Sequence, residues 1–208
     1  NPTSTASTPE EMAGILSCCR ERKILVVIDE TYAEFAPESF SVSCAKLLNT
    51  YDNFVILRGV SKFFAAPGLR LGYAMSGSLS LLKLVKERQN PWSLNSLADA
   101  AGALMFTDAD YIHRTRELIS SERERIYREL LTWKNVKVYR PYANFILVRI
   151  RKEGVTSYDI FLHAIRQGLM LRDCSNFPGL EDETFFRFCF MLPEQNTALL
   201  ACLRELLE

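Results

Sequence analysis

The sequence predicts an α/β chain in two parts: a layer of buried strands alternating with helices, then a smaller α+β unit. Three observations carry this expectation. Short, largely apolar runs at 24–28, 53–57 and 71–75 alternate with helical patterns, which suits strands of a mostly parallel sheet covered on both faces. Beyond Ser78 the periodicity turns helical over a long stretch. From Val136 onward it reads strand, strand, helix, strand, strand, helix. A boundary near residues 107–110 therefore separates an expected first domain, 1–108, from a second, 109–208.

In chain order, Thr8-Pro9-Glu10-Glu11 is a capping box with proline at the first helical position, and Met12, Ile15, Leu16 and Cys19 follow at helical spacing. That helix is expected to run to about Lys23, and the strand at 24–28 ends in Asp29. A helical stretch at 44–48 leads to the strand at 53–57, and a loop at 59–70 leads to the strand at 71–75. Helices are then expected at 79–88, at 93–106 after Pro91, and at 109–133, where dense Arg and Glu read as a solvated face with spaced ion pairs. Strands at 136–139 and 144–150, a helix at 157–167, strands at 169–172 and 185–190, and a helix at 193–207 complete the chain. No internal repeat appears.

Composition narrows the function classes. The 208 residues carry 25 Lys plus Arg and 25 Asp plus Glu, and this zero net charge supplies no global field for nucleic acid or anionic lipid. Neither is expected as a partner. The longest aliphatic run is five residues, 24–28, against about 20 for a membrane helix, and the polar start does not read as a signal peptide. The six cysteines form no CxxC pair, and His113 and His163 lie far from ligand spacing. Reduced thiols in a cytoplasmic protein are expected, and no metal site.

Three features fall at strand ends, where an α/β layer places its ligands. They are Asp29-Glu30-Thr31-Tyr32, then Ser61-Lys62, then Pro67-Gly68-Leu69-Arg70-Leu71-Gly72-Tyr73. Singly, each has a plainer reading: a strand-end aspartate caps a turn, a lysine is solvated, a GLR is a turn. Jointly, a lysine beside a hydroxyl and an arginine, facing a buried carboxylate, is what a pyridoxal phosphate site requires. His113 and His163 sit on expected helices with nothing acidic or nucleophilic placed to use them. Cys18, Cys19, Phe63, Phe64 and Trp92 read as packing.

The joint spacing resembles the fold type I, class I/II pyridoxal-phosphate-dependent aminotransferases, in the branch containing histidinol-phosphate aminotransferase and threonine-phosphate decarboxylase. Asn1-Pro2-Thr3 is similar to the family's NPTG element, and Asp29 follows Asn1 by 28 residues. Residues 58–62 through 68–73 resemble the SK…GLRxGY lysine signature. Residues 90–98 and 141–145 are also similar to family segments, and 171–180 lean toward the decarboxylase side. The resemblance implies a partial large domain followed by a small C-terminal domain.

It also implies pyridoxal 5'-phosphate held as a Schiff base on Lys62, the catalytic lysine. Asp29 would pair with the ring nitrogen, Asn1 and Tyr32 with the phenolic oxygen, and Ser61 and Arg70 with the phosphate. Arg187 would grip the α-carboxylate of a small-molecule amino-acid substrate. Ser4 stands where NPTG has glycine, and Gly59 where relatives often carry a phosphate-binding hydroxyl. The resemblance starts at the NPTG-like element, so the chain is expected to be the carboxyl-terminal part of a homodimeric enzyme, lacking its Gly-rich loop and stacking aromatic and inactive alone. Transamination is the implied activity, with decarboxylation of a phosphorylated amino acid as the alternative. An inactive fragment or cofactor-free interaction module is the reading from another class.

Overall fold

The computed structural model describes residues 1–37 and 39–208, which divide into two units: residues 6–115, and residues 1–5 together with 116–208. Within the first, α1 (Pro9–Glu21) starts as its sequence requires. Thr8 Oγ1 accepts from the Glu11 backbone N–H at 3.3 Å and Glu11 Oε2 accepts from the Thr8 N–H at 2.9 Å, satisfying amides a helix start otherwise leaves open. The helix buries Leu16 against Cys44, Phe54 and Ile56. Each such apolar side chain contributes about 1.5–3 kcal/mol.

β1 (Val26–Asp29) pairs in parallel with β2 (Phe54–Gly59), which pairs antiparallel with β3 (Gly72–Met75). The expected α/β class holds, with two differences. The strands are not buried on both faces: Val27 on β1 is 59% exposed, Leu57 on β2 40% and Tyr73 on β3 39%. Only the face carrying Val26, Ile28, Phe54 and Ile56 packs on α1 and on the 3-10 helix Cys44–Asn49, the form taken by the helical stretch expected at 44–48. And β3 reverses direction because no crossover helix separates it from β2, as a parallel return would need.

Ser76 Oγ donates to the Phe54 carbonyl at 2.8 Å, and Gly77 follows where a Cβ would press on the Leu48 and Tyr51 carbonyls. α2 (Leu79–Arg88) and α3 (Ser96–Met105) are capped by the Ser78 hydroxyl and the Asn95 side chain. α4 (Ala109–Leu131) begins in this unit and continues into the other.

In the second unit β4 (Val136–Val138), β5 (Phe145–Ile150), β6 (Arg172–Asp173) and β7 (Phe185–Cys189) form an antiparallel sheet in the order β4-β5-β7-β6. α5 (Ser157–Arg166) and α6 (Pro193–Leu207) complete it. α6 carries no side-chain cap of the usual kind; Pro193 opens it, and Asn196 ties its start to the preceding loop. Asn196 accepts from the Met191 N–H at 2.9 Å and donates to the Met191 carbonyl at 2.8 Å and to Glu122 Oε2, on α4, at 2.7 Å.

Glu122 is 4% exposed and takes Arg125 Nε and Nη2 at 2.9 and 2.6 Å. The Arg125 hydrogen bonds hold its carboxyl below the ordinary carboxylate range; burial opposes this, and Asn196 adds to it. A folded value below the unfolded one means that the stabilisation is complete above the ordinary value of 4.5 and is lost as pH falls through the folded value. Glu122→Gln is therefore expected to cost about 1–3 kcal/mol at neutral pH and to flatten the acid limb of stability. Urea melts across the acid range check it, and parallel curves for the two proteins would remove Glu122 as a source of that limb.

Candidate functional site

The parallel register pairs Asp29 with Leu57, so β1 and β2 end at one edge of the sheet. The chain leaves β1 through Glu30, Thr31 and Tyr32 into the 3-10 turn Ala33–Phe35, and leaves β2 through Val60 into Ser61 and Lys62. This brings Lys62 and Tyr32 together: the Lys62 amine stands 5.8 Å from the centroid of the Tyr32 ring, within cation–π reach. Lys62 is exposed, and Ser61 beside it is half-buried.

Asp29 departs from the expected buried carboxylate. It is exposed, and its Oδ1 accepts from the Thr31 N–H at 2.9 Å. Strand alternation is the reason: Asp29 follows Val27 onto the open face, while Val26, Ile28 and Glu30 face the core. Arg70 occupies the left-handed region at φ 55°, and its guanidinium donates to the Pro67 carbonyl at 3.0 Å, with its exposed fork otherwise toward solvent. Gly59 and Gly72 let β2 and β3 close together; a Cβ on Gly59 would stand 3.1 Å from the Leu71 carbonyl oxygen.

The donor set of this unit fits a phosphorylated pyridine aldehyde. Lys62 offers a primary amine, Ser61 and Arg70 a hydroxyl and a planar cation for a phosphate, Asp29 an anion for a protonated ring nitrogen, and Tyr32 a phenol.

Asn1 and Arg187 belong to the other unit. Arg187 projects from β7 with its guanidinium 4.8 Å from the Phe145 ring and 5.2 Å from the Phe177 ring, and donates to Asn1 Oδ1. It lines a cavity of about 620 Å³ with Arg172, Asn176, Tyr158 and Met191. Ser4, at the position of the family glycine, keeps a positive φ of 60°. Its carbonyl accepts from the Tyr142 N–H at 2.8 Å and its hydroxyl from the Ala143 N–H at 3.2 Å, bonds of a kind that offset the left-handed strain. Arg123, 3% exposed, backs the same loop by donating to the Tyr142 and Ala143 carbonyls at 3.4 Å. Burial, with the Arg140 charge adding to it, pulls its pKa down to about 10.

Sequence reasoning missed Glu30 and Arg58. Glu30 is 5% exposed, and its Oε2 takes Arg58 Nη2 at 2.6 Å and Nε at 3.0 Å. The signal was present as alternation: Val26, Ile28, Glu30 on one strand and Phe54, Ile56, Arg58 on the next put opposite charges at core-facing positions.

A three-stranded α/β layer with a lysine, a hydroxyl and a guanidinium on the loop leaving its central strand, followed by an α+β unit, matches part of the architecture of the fold type I transferases. A family model described as aminotransferase class I and II matches residues 1–203. The chain belongs to that family, whose members depend on pyridoxal phosphate. It is 34% identical to a putative threonine-phosphate decarboxylase of Caldanaerobacter subterraneus subsp. tengcongensis, over all of this chain and 56% of that protein. It is 32% identical to the histidinol-phosphate aminotransferase of Methanothermobacter thermautotrophicus, over all of this chain and 53% of that protein. The crystal structure of the histidinol-phosphate aminotransferase from Clostridium acetobutylicum superposes with a TM-score of 0.90 at 31% identity, covering 99% of this chain and 60% of that one. The chain thus spans about half the length of the curated relatives it matches.

Because the Lys62 side chain is exposed, with its amine over the Tyr32 ring, Lys62→Ala is expected to change the stability of the chain by no more than about 0.5 kcal/mol. A denaturant midpoint displaced well beyond that would make Lys62 a structural residue.

Proposed function

We propose that the whole protein is a pyridoxal-phosphate-dependent aminotransferase of amino acids, and that this chain supplies its cofactor lysine. The observation that carries the reading is Lys62 at the carboxyl edge of the parallel pair, between Ser61 and Arg70 and against Tyr32, in a chain of the aminotransferase class I and II family. Residues 1–108 would be the C-terminal part of the large domain and 109–208 the small domain. When bound, the cofactor supplies an electron sink for the bond broken at the substrate Cα.

The residues have separable tasks. Lys62 would hold the cofactor through its aldehyde carbon, and its primary amine would serve as base and acid for the substrate Cα proton. Asp29 would keep the ring nitrogen protonated, Tyr32 and Asn1 would act on the phenolic oxygen, and Ser61 and Arg70 would hold the phosphate. Arg187 binds the α-carboxylate through its planar fork, with Phe145 and Phe177 fixing the plane of that fork. Such an enzyme would work as a homodimer in the cytoplasm; among the described residues no helix is long and apolar enough to cross a membrane.

A second reading, decarboxylation of a phosphorylated amino acid, draws on the 34% identity to the putative threonine-phosphate decarboxylase. In that reading the same residues would favour loss of the substrate carboxylate over loss of the Cα proton. Carbon dioxide release from threonine phosphate separates the two readings from each other.

Borohydride reduction of the whole protein with cofactor is expected to fix the pyridoxyl group on the peptide containing Lys62. Its appearance on another lysine overturns the assignment. The 208-residue chain alone offers the phosphate Ser61 and Arg70. With charge-assisted hydrogen bonds worth about 1.5–3 kcal/mol each, it is expected to bind the cofactor orders of magnitude more weakly than the whole protein. Absorbance titration checks this, and stoichiometric binding at micromolar cofactor by the chain alone would contradict it.

A further inference from the structure

We propose that the pair of buried Glu30 and half-buried Arg58 positions the cofactor-handling residues, holding the Tyr32 segment against the Ser61–Lys62 segment. The proposal rests on reading Lys62 as the cofactor lysine. Glu30 and Arg58 stand at the ends of adjacent parallel strands, one residue past the pair Asp29 and Leu57, with side chains on the same face. The Glu30 N–H donates to the Leu57 carbonyl at 2.9 Å, so the ladder itself carries Glu30 beside Arg58.

The contacts are distributed as a clamp. Arg58 grips Glu30, two residues before Tyr32, through Nε and Nη2, and reaches Glu34, two residues after Tyr32, through Nη1 at 3.4 Å. Its Nη2 also donates to Ser43 Oγ at 2.7 Å, and the second Glu30 oxygen accepts from the Cys44 N–H at 2.6 Å. One guanidinium therefore spans the segment that presents Tyr32. Its own backbone lies four residues before Lys62, through the fully buried Val60. Burial works against the Arg58 cation, yet Glu30 and Glu34 raise it above its ordinary value. The Cys44 thiol, pushed up to about 11 by burial and by Glu30, stays neutral beside the carboxylate.

A buried ion pair is a weak device for stability alone, because an apolar pair of similar volume folds as well or better. What an apolar pair lacks is a bidentate fork with fixed lengths and directions. The distinction is useful here because the Tyr32 ring and the Lys62 amine are already within contact distance, and site geometry of this kind tolerates only about 0.5 Å of drift.

The test uses the whole protein with cofactor and three variants: Glu30→Gln, Arg58→Lys, and the double variant Glu30→Leu with Arg58→Met. The readouts are the denaturant midpoint, the pH midpoint of the visible band of the lysine-bound cofactor, and kcat and KM measured separately. Hydrogen exchange across residues 29–35 and 59–62 is followed without cofactor. The double variant leaves the buried Cys44 N–H without its acceptor, so its denaturant midpoint is expected to fall modestly, while kcat falls about tenfold to hundredfold with KM nearly unchanged. Its band midpoint should move by about one pH unit, and exchange should rise in both segments together. Arg58→Lys, which keeps the charge and loses the fork, is expected to shift the band in the same direction. It decides the matter should the double variant fail to fold. Variants that bind cofactor with an unaltered band midpoint and kcat overturn the positioning role and leave the cofactor reading intact. No visible band in the unaltered protein overturns both.

Discussion

The parallel pairing of β1 with β2 is the constraint on which the site depends. Only a parallel pair brings the carboxyl ends of both strands to one edge, and here those ends carry Asp29 through Tyr32 on one side and Arg58 through Lys62 on the other. An antiparallel pairing would have placed the two segments at opposite edges, separated by the length of a strand. The connection between β1 and β2 makes parallel pairing possible by supplying a long crossover, and the 3-10 helix Cys44–Asn49 within it packs on the same core as α1.

From that edge outward the structure trades local strain for close approach. Ala65 and Arg70 take positive φ in the loop that returns to β3, and Gly59 and Gly72 allow the two backbones to pass. The other unit uses the same economy at Ser4, where a left-handed residue is held by two hydrogen bonds to the Tyr142–Ala143 loop and that loop is held in turn by Arg123. Asn1 reaches Arg187 from the segment so anchored. In both places a charged or polar side chain off the expected chemistry, Arg58 or Arg123, sits behind residues assigned a chemical role.

Much of this was legible in the chain. Helix ends followed from capping residues: Thr8 and Glu11 start α1, and α2 and α6 occupy the spans their periodicity marks. Lys62, Ser61 and Arg70 could be singled out for the proposed cofactor roles because the lysine signature is a run of neighbouring residues with little intervening chain. Less legible was which carboxylate is buried. Asp29 and Glu30 are adjacent, and a continuous apolar run before them suggested two covered faces, so alternation was set aside where it would have turned Glu30 inward.

The sequence by itself determined the local elements, their order and the residues with reactive side chains, because caps, periodicity and turn chemistry act between residues a few positions apart. Tertiary structure alone decided that β3 runs antiparallel, that only one face of β1 is packed, that Glu30 meets Arg58 and that Arg187 lies between Phe145 and Phe177. Each of these depends on register between segments separated by a dozen residues or more. In that range a shift of one residue along a strand exchanges the buried face for the exposed one without changing any local preference.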